Sequence, residues 1–227
     1  MFQSDNATPH MSSNYDEQVR KTIPYYDSFH EETMYLIKAI NLQPKNWLDT
    51  GCGTGTLVEK ALKHFPNTRF VLVDPSTQML SEAKRKLAGH QNVVFLEAAK
   101  TQQLSALKGK FDVITAIQSH HYQTAPLRAE ATKVCFELLT QKGVYVTFEN
   151  IHPLTEQGTT IGLENWKNHQ IQAGRDQETA VQHMKRFGVE YFPITVEEHL
   201  LLLRQTGFSI VELFWFSVMQ AGFFCLK

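Results

Sequence analysis

The chain has 227 residues, 22 Lys and Arg against 23 Asp and Glu, a formal net charge of −1 and 42% hydrophobic residues. This balance describes a globular domain able to bury one core, and it leaves no broad basic surface, so nucleic acid and an anionic membrane are not indicated as partners. Three widely spaced cysteines (Cys52, Cys135, Cys225) make neither a disulfide framework nor a zinc pattern. With a polar N-terminus and no apolar run near the roughly 18 residues that span a bilayer, a cytoplasmic protein is expected.

The first dozen residues, rich in Ser and Asn, are expected to fray. From 15 to 40 the pattern is helical, broken at Ile23-Pro24 because proline disfavours helix in the residue before it. After Pro44 strands and helices alternate. The spacing predicts a strand over 46–50, a helix over 54–64 and a strand over 69–73. A helix over 76–87 follows, N-capped by Ser76, then strands over 93–96 and 111–117. A helix over 126–139, closed by a turn at Gln141-Lys142-Gly143, leads into a strand over 144–148. Such alternation implies a Rossmann-like, doubly wound α/β fold with a mostly parallel sheet. From 151 to 195 it stops, and this polar stretch is expected to be a helical insertion or lid. A helix over 196–206, a Gly207 stop and strands over 209–216 and 221–226 complete seven strands. The expected organisation is an N-terminal helical segment (1–44), a ligand-binding core (45–150), the insertion (151–195) and a C-terminal helix with the last two strands (196–227).

The strongest chemical signal is Asp49-Thr50-Gly51-Cys52-Gly53-Thr54-Gly55, a strand end that turns through three glycines into a helix. Glycine allows positive φ and lets a ligand approach where a Cβ would clash. Counting from Gly51 and Gly53, a dinucleotide fingerprint needs glycine or alanine at position 56, where Thr56 stands, and the Lys of a phosphate-binding P-loop is absent. Asp74 closes the next strand, placed to accept hydrogen bonds from both hydroxyls of a ribose. An adenosine ligand without a pyrophosphate fits, and S-adenosylmethionine is the common one.

The series D-T-G-C-G-T-G, V-L-V-D-P-S-T-Q-M-L and F-D-V-I-T-A resembles that of class I S-adenosylmethionine-dependent methyltransferases over residues 45–150. The resemblance implies a seven-stranded sheet with an antiparallel last strand. It also implies a cofactor site at Asp49, Gly51, Cys52, Gly53 and Gly55, with Asp74 on the ribose and Pro75 and Met79 flanking the adenine. Where the family usually has Gly-Asp after the third strand this chain has Glu97-Ala98-Ala99, leaving the adenine amine to backbone near Ala99 and Lys100, or to Glu97. Thr22-Ile23-Pro24-Tyr25-Tyr26-Asp27 resembles the segment that sets a tyrosine, here Tyr26, over the cofactor in carboxy-S-adenosylmethionine synthases and related methyltransferases. Leu202 stands where the synthase has its arginine, which favours ordinary methyl transfer over carboxyl-sulfonium chemistry. A non-catalytic cofactor-binding protein is the third reading.

The fourth strand runs into Gln118-Ser119-His120-His121-Tyr122, and ligands bind outside the carboxyl ends of strands in open sheets. Gln118 is thus a cofactor candidate, and His121 or His120 a candidate base for an acceptor hydroxyl or amine. One of the two packing against a helix is an equal alternative. Glu149, Asn150 and His152 form a second cluster, for which turn hydrogen bonding is favoured. Trp166, His169, Arg175, His183, Arg186 and Tyr191 of the insertion are expected to select the acceptor, which charge balance suggests is a small molecule. No histidine spacing suits a metal, and nothing in the sequence assigns an oligomeric state.

Overall fold

Trp47, Leu48, Asp49 and Thr50 are buried on both faces of β1 (Asn46–Thr50), an interior strand of the sheet. The computed structural model describes residues 5–107 and 111–227; residues 1–4 of the terminus expected to fray lie outside them. β1 pairs in parallel with β2 (Arg69–Val73) on one side and β4 (Phe111–Ile117) on the other. β3 (Val93–Phe95) extends the first side. β5 (Leu139–Asn150), β7 (Gln220–Leu226) and β6 (Ile210–Ser217) extend the second. The order β3-β2-β1-β4-β5-β7-β6 reverses direction between β1 and β4, and β7 runs antiparallel to both its neighbours. A ligand crevice is expected at that switch point, outside the carboxyl ends of β1 and β4.

Helices cover both faces. α1 (Tyr15–Thr22) and α2 (Tyr26–Ala39) are separated at Ile23-Pro24, where Ile23 is extended and Tyr25 takes a left-handed φ of 55°. α3 (Thr56–His64) starts two residues later than its pattern suggests because Gly55, at φ 78°, is its N-cap. In α4 (Thr77–Lys86) the Ser76 hydroxyl accepts the Met79 N–H, satisfying one of the donors that a helix start leaves unpaired. α5 (Ala125–Leu138) leads directly into β5. The predicted turn after it is a bulge inside the strand: Leu139 pairs with Phe111, Lys142 turns at φ 65°, and pairing resumes at Val144 with Val113. Gly143 is required there, since a Cβ would stand 2.9 Å from the Thr140 carbonyl.

The insertion holds α6 (Glu156–Gln172) and α7 (Gln177–Met184). It packs on the N-terminal helices, with the buried Trp166 indole donating to the Thr22 carbonyl at 2.6 Å. α8 (Val196–Thr206) opens with a reciprocal Thr195–Glu198 capping box and stops at Gly207, φ 110°. Of the aromatics on the last two strands, Phe223 is fully buried, and Phe216 on edge strand β6 is 57% exposed. No described helix is long and apolar enough to cross a membrane.

Candidate active site

A cavity of about 490 Å³ opens at the switch point. Its floor is the glycine loop. Gly51 and Cys52 both donate backbone N–H to the Val73 carbonyl, at 2.8 and 3.0 Å, which ties the loop to the end of β2. Gly51 has φ 68°, and a Cβ there would land on the Ser119 hydroxyl at the end of β4. Gly53, at φ 53°, meets nothing within 4 Å along its missing Cβ, leaving the backbone open to approach.

Asp74 stands beside the loop. Its carboxylate accepts the Gly53 N–H at 2.9 Å and the Ser76 N–H at 2.8 Å, and burial raises its pKa. Asp49 is almost wholly buried and accepts the Thr115 hydroxyl at 2.7 Å; burial, helped by the charge of Asp74, pushes its pKa up to about 7.

Of the residues expected at the cofactor, Tyr26, Asp49, Gly51, Cys52, Gly53, Asp74, Pro75, Met79, Lys100 and Gln118 all line the cavity. Gly55 and Ala99 do not. Gly55 is the cap of α3 and faces Leu87 and Ala83, so its freedom serves packing between helix and loop. Ala99 donates its N–H to the Asp74 backbone carbonyl at 3.2 Å, holding the segment after β3 against the end of β2.

The two histidines are displaced further. The chain leaves β4 through Gln118 at φ 53° and closes a 3₁₀ turn, His120–Tyr122, that folds both imidazoles away from the cavity. His120 sits between the Thr101 hydroxyl (3.1 Å) and the Tyr145 hydroxyl (3.2 Å). His121 Nδ1 meets Glu149 Oε2 at 2.7 Å, and its Nε2 lies 3.2 Å from the Asn150 amide. Glu149 also accepts the backbone N–H of both histidines and the Thr147 hydroxyl. The His121 side chain, with His120 and His199 nearby, holds its pKa at about 2 despite complete burial. The pair is a brace under the turn, and the side chain it delivers to the cavity is Tyr122.

The insertion residues also fall short of the expectation. Trp166 packs edge to face on His183 and Tyr191 in the core of the insertion, and none of the six candidates lines the cavity. The N-terminal segment takes that place: Asp5, Asn6, Ala7 and Thr8 form part of the wall. The Asp5 carbonyl accepts the Ser76 hydroxyl at 3.1 Å, and the Ala7 carbonyl accepts from Arg186 at 2.9 Å. A polar N-terminus carries no periodicity, so no sequence signal distinguishes this strap from a loose tail. Tyr15, His30 and Gln102 are further lining residues that sequence reasoning missed.

Three lining residues carry a buried polar atom with no partner: His30 Nδ1, Gln102 Oε1 and Gln118 Nε2. Buried polar groups are almost always paired, so unpaired ones on a cavity wall mark where a ligand with several polar groups belongs. Together with the open backbone at Gly53 and the Asp74 carboxylate, they fit an adenosine attached to an amino acid. No cluster of metal-ligating side chains occurs among the described residues.

Comparison with known proteins agrees. Residues 48–145 match the model of a methyltransferase domain family. A carboxy-S-adenosyl-L-methionine synthase from Trichodesmium erythraeum is 23% identical over 87% of this chain and 79% of its own length. A putative O-methyltransferase from Nostoc punctiforme superposes with a TM-score of 0.65 at 15% identity, over 89% of this chain and 56% of that one. The plantazolicin methyltransferase BpumL, solved with S-adenosylhomocysteine, superposes at 0.67 with 15% identity, over 95% and 88%. Sheet order, cavity and domain match point the same way: residues 48–145 are a methyltransferase domain, the fold is that of class I S-adenosylmethionine-dependent methyltransferases, and S-adenosylmethionine is the cofactor. Within that class it is similar along most of its length to the carboxy-S-adenosyl-L-methionine synthases.

Proposed function

We propose that this enzyme moves a methyl group from S-adenosylmethionine to a small acceptor that carries no strong negative charge. The observation behind this reading is the charge of the cavity wall. Its acidic side chains are Asp5, Asp49 and Asp74, and Lys100 is the one Lys or Arg among the described lining residues. In this reading Asp74 takes the ribose hydroxyls, Pro75 and Met79 flank the adenine, and Gln102 Oε1 accepts from its amine. Gly51 to Gly53 and Gln118 face the methionine chain, Tyr26 covers it, and residues 5–8 with α1 and α2 close over the whole.

When bound, the cofactor supplies a methyl on a positive sulfur that an in-line nucleophile displaces. The protein's contribution is placement, which can lower a barrier by several kcal/mol without a base. Burial pushes the Tyr122 hydroxyl up to about 12, so at neutral pH it is a hydrogen-bond donor able to orient an acceptor oxygen. The His121–Glu149 contact braces the turn that holds Tyr122 there.

The second reading, synthesis of a carboxylated sulfonium, rests on the names of the full-length relatives. It needs a cation for the added carboxylate; neither Leu202 nor Arg204 on α8 lines the cavity, and Lys100, which does, stands on the adenine side in this reading. Titrating the protein with S-adenosylmethionine, S-adenosylhomocysteine and NAD tests the cofactor site, with micromolar binding of the first two expected and none of NAD. Mass spectrometry of sulfonium released from purified protein then separates the chemistries. Recovery of the carboxylated species instead of S-adenosylmethionine overturns the methyl-transfer reading.

A further inference from the structure

The wall of the cavity opposite Asp74 is built by Tyr15 of α1, Tyr26 and His30 of α2, and Thr56 and Leu57 at the start of α3. His30 lies one helical turn beyond Tyr26, with the two rings edge to face at 5.0 Å. Its side chain is 1% exposed, and its Nδ1 has no partner in the protein. An unpaired buried nitrogen costs about 1–3 kcal/mol, and a phenylalanine or leucine in an otherwise aromatic and aliphatic corner would avoid that cost. The imidazole is also neutral: burial, aided by Lys60 on α3 and by Arg20 and Lys86 on α1 and α4 and opposed only by Asp27, pushes its pKa down to about 3. A neutral imidazole offers one N–H and one lone pair, which suits a zwitterion better than an isolated anion.

The direction of the cofactor decides what reaches this nitrogen. With the adenosine at Asp74, Pro75 and Met79, the amino-acid tail runs across Gly51 to Gly53 toward the N-terminus of α3. Backbone N–H groups at a helix start favour a carboxylate.

We propose that His30 is a cofactor-positioning residue whose Nδ1 hydrogen-bonds the α-amino-acid group of S-adenosylmethionine, fixing the sulfur between the glycine loop and Tyr122. The proposal rests on the methyltransferase reading and on Asp74 holding the ribose.

The test uses a pair of ligands differing only in that group. S-adenosylhomocysteine carries the amino acid; 5′-methylthioadenosine keeps the adenosine and sulfur but lacks it. Calorimetric titration of wild type, His30→Leu and His30→Asn with both ligands is the experiment. His30→Leu is expected to weaken S-adenosylhomocysteine about 10-fold while leaving methylthioadenosine within about twofold. His30→Asn, whose amide reaches the place of Nδ1, is expected to recover most of the loss. Equal weakening of both ligands, or no change in either, overturns the assignment of His30 and leaves the cofactor site standing. Failure of the wild type to bind either ligand overturns the site reading and the proposal together. Melting temperatures within a few degrees of wild type exclude misfolding, and the methylthioadenosine arm gives the same check from inside the pocket.

Discussion

Asp49 and Asp74 face one cavity but differ in how their burial is compensated. Asp74 accepts two backbone N–H groups. Asp49 has only a neutral hydroxyl, Thr115, for compensation, so burial drives its pKa to about 7. A positive sulfonium entering the cavity favours the ionised form of Asp49. Below its pKa part of that attraction is spent on releasing the proton. S-adenosylmethionine should therefore bind several-fold more tightly at pH 8 than at pH 6, while neutral-sulfur S-adenosylhomocysteine changes much less. A parallel pH series by calorimetry reads this directly, and identical profiles for the two ligands would remove Asp49 from the sulfonium's surroundings. At Asp74 the expectation is simpler. Asp74→Ala should weaken cofactor binding at least 10-fold and leave the fold intact, because the backbone donors it frees stand on the wall of a solvent-reachable cavity. Unchanged affinity would refute the ribose assignment.

At the level of elements, the turn after β4 is held from below. Glu149 at the end of β5 gathers two backbone N–H groups, one imidazole and one hydroxyl. The buried Arg128 of α5 donates to the His120, Gln123 and Phe192 carbonyls, binding the same turn to the insertion. Removing the buried Glu149 carboxylate leaves its donors unpaired, and breaking a buried contact of this kind costs about 3–5 kcal/mol. Glu149→Ala is thus expected to lower the melting temperature by roughly 6–20 °C. His121→Ala should be destabilising by the same mechanism, and the double variant should lose far less than both losses combined. Thermal melts of the three variants test this. A His121→Ala protein with wild-type stability and abolished turnover would restore the histidine to catalysis.

For the molecule as a whole, acid is the weak direction. His10, His30, His120 and His199 are buried and neutral, held near 3, 3, 4 and 4 by desolvation. In the unfolded chain they titrate near 6.5. As pH falls through that value the unfolded state takes up protons the native state refuses, so stability is lost. Asp49 acts oppositely, because its raised pKa lets the native state bind a proton first. Four histidines outweigh one aspartate, and about 3 kcal/mol should disappear between pH 6 and pH 5. Denaturant midpoints measured across that interval check the sign and the size; a midpoint that rises on acidification contradicts this account.

Sequence alone determined the sheet and the cofactor class, because both rest on local rules. Strand runs such as Val71-Leu72-Val73, the Ile23-Pro24 break, the Ser76 cap and the Gly207 stop each act within a few residues. The loop of three glycines followed by Asp74 needs only one strand, one turn and the next strand. Tertiary structure decided which side chains reach the cavity. His120 and His121 look available at a strand end, but a left-handed Gln118 and a carboxylate 28 residues later on β5 pull His121 and its neighbour inward. The strap at 5–8, the insertion's retreat into its own core and the solitary nitrogen of His30 likewise depend on contacts between distant segments, such as Ser76 with Asp5 and Arg186 with Ala7. Such contacts are set by packing geometry, which no spacing along the chain encodes.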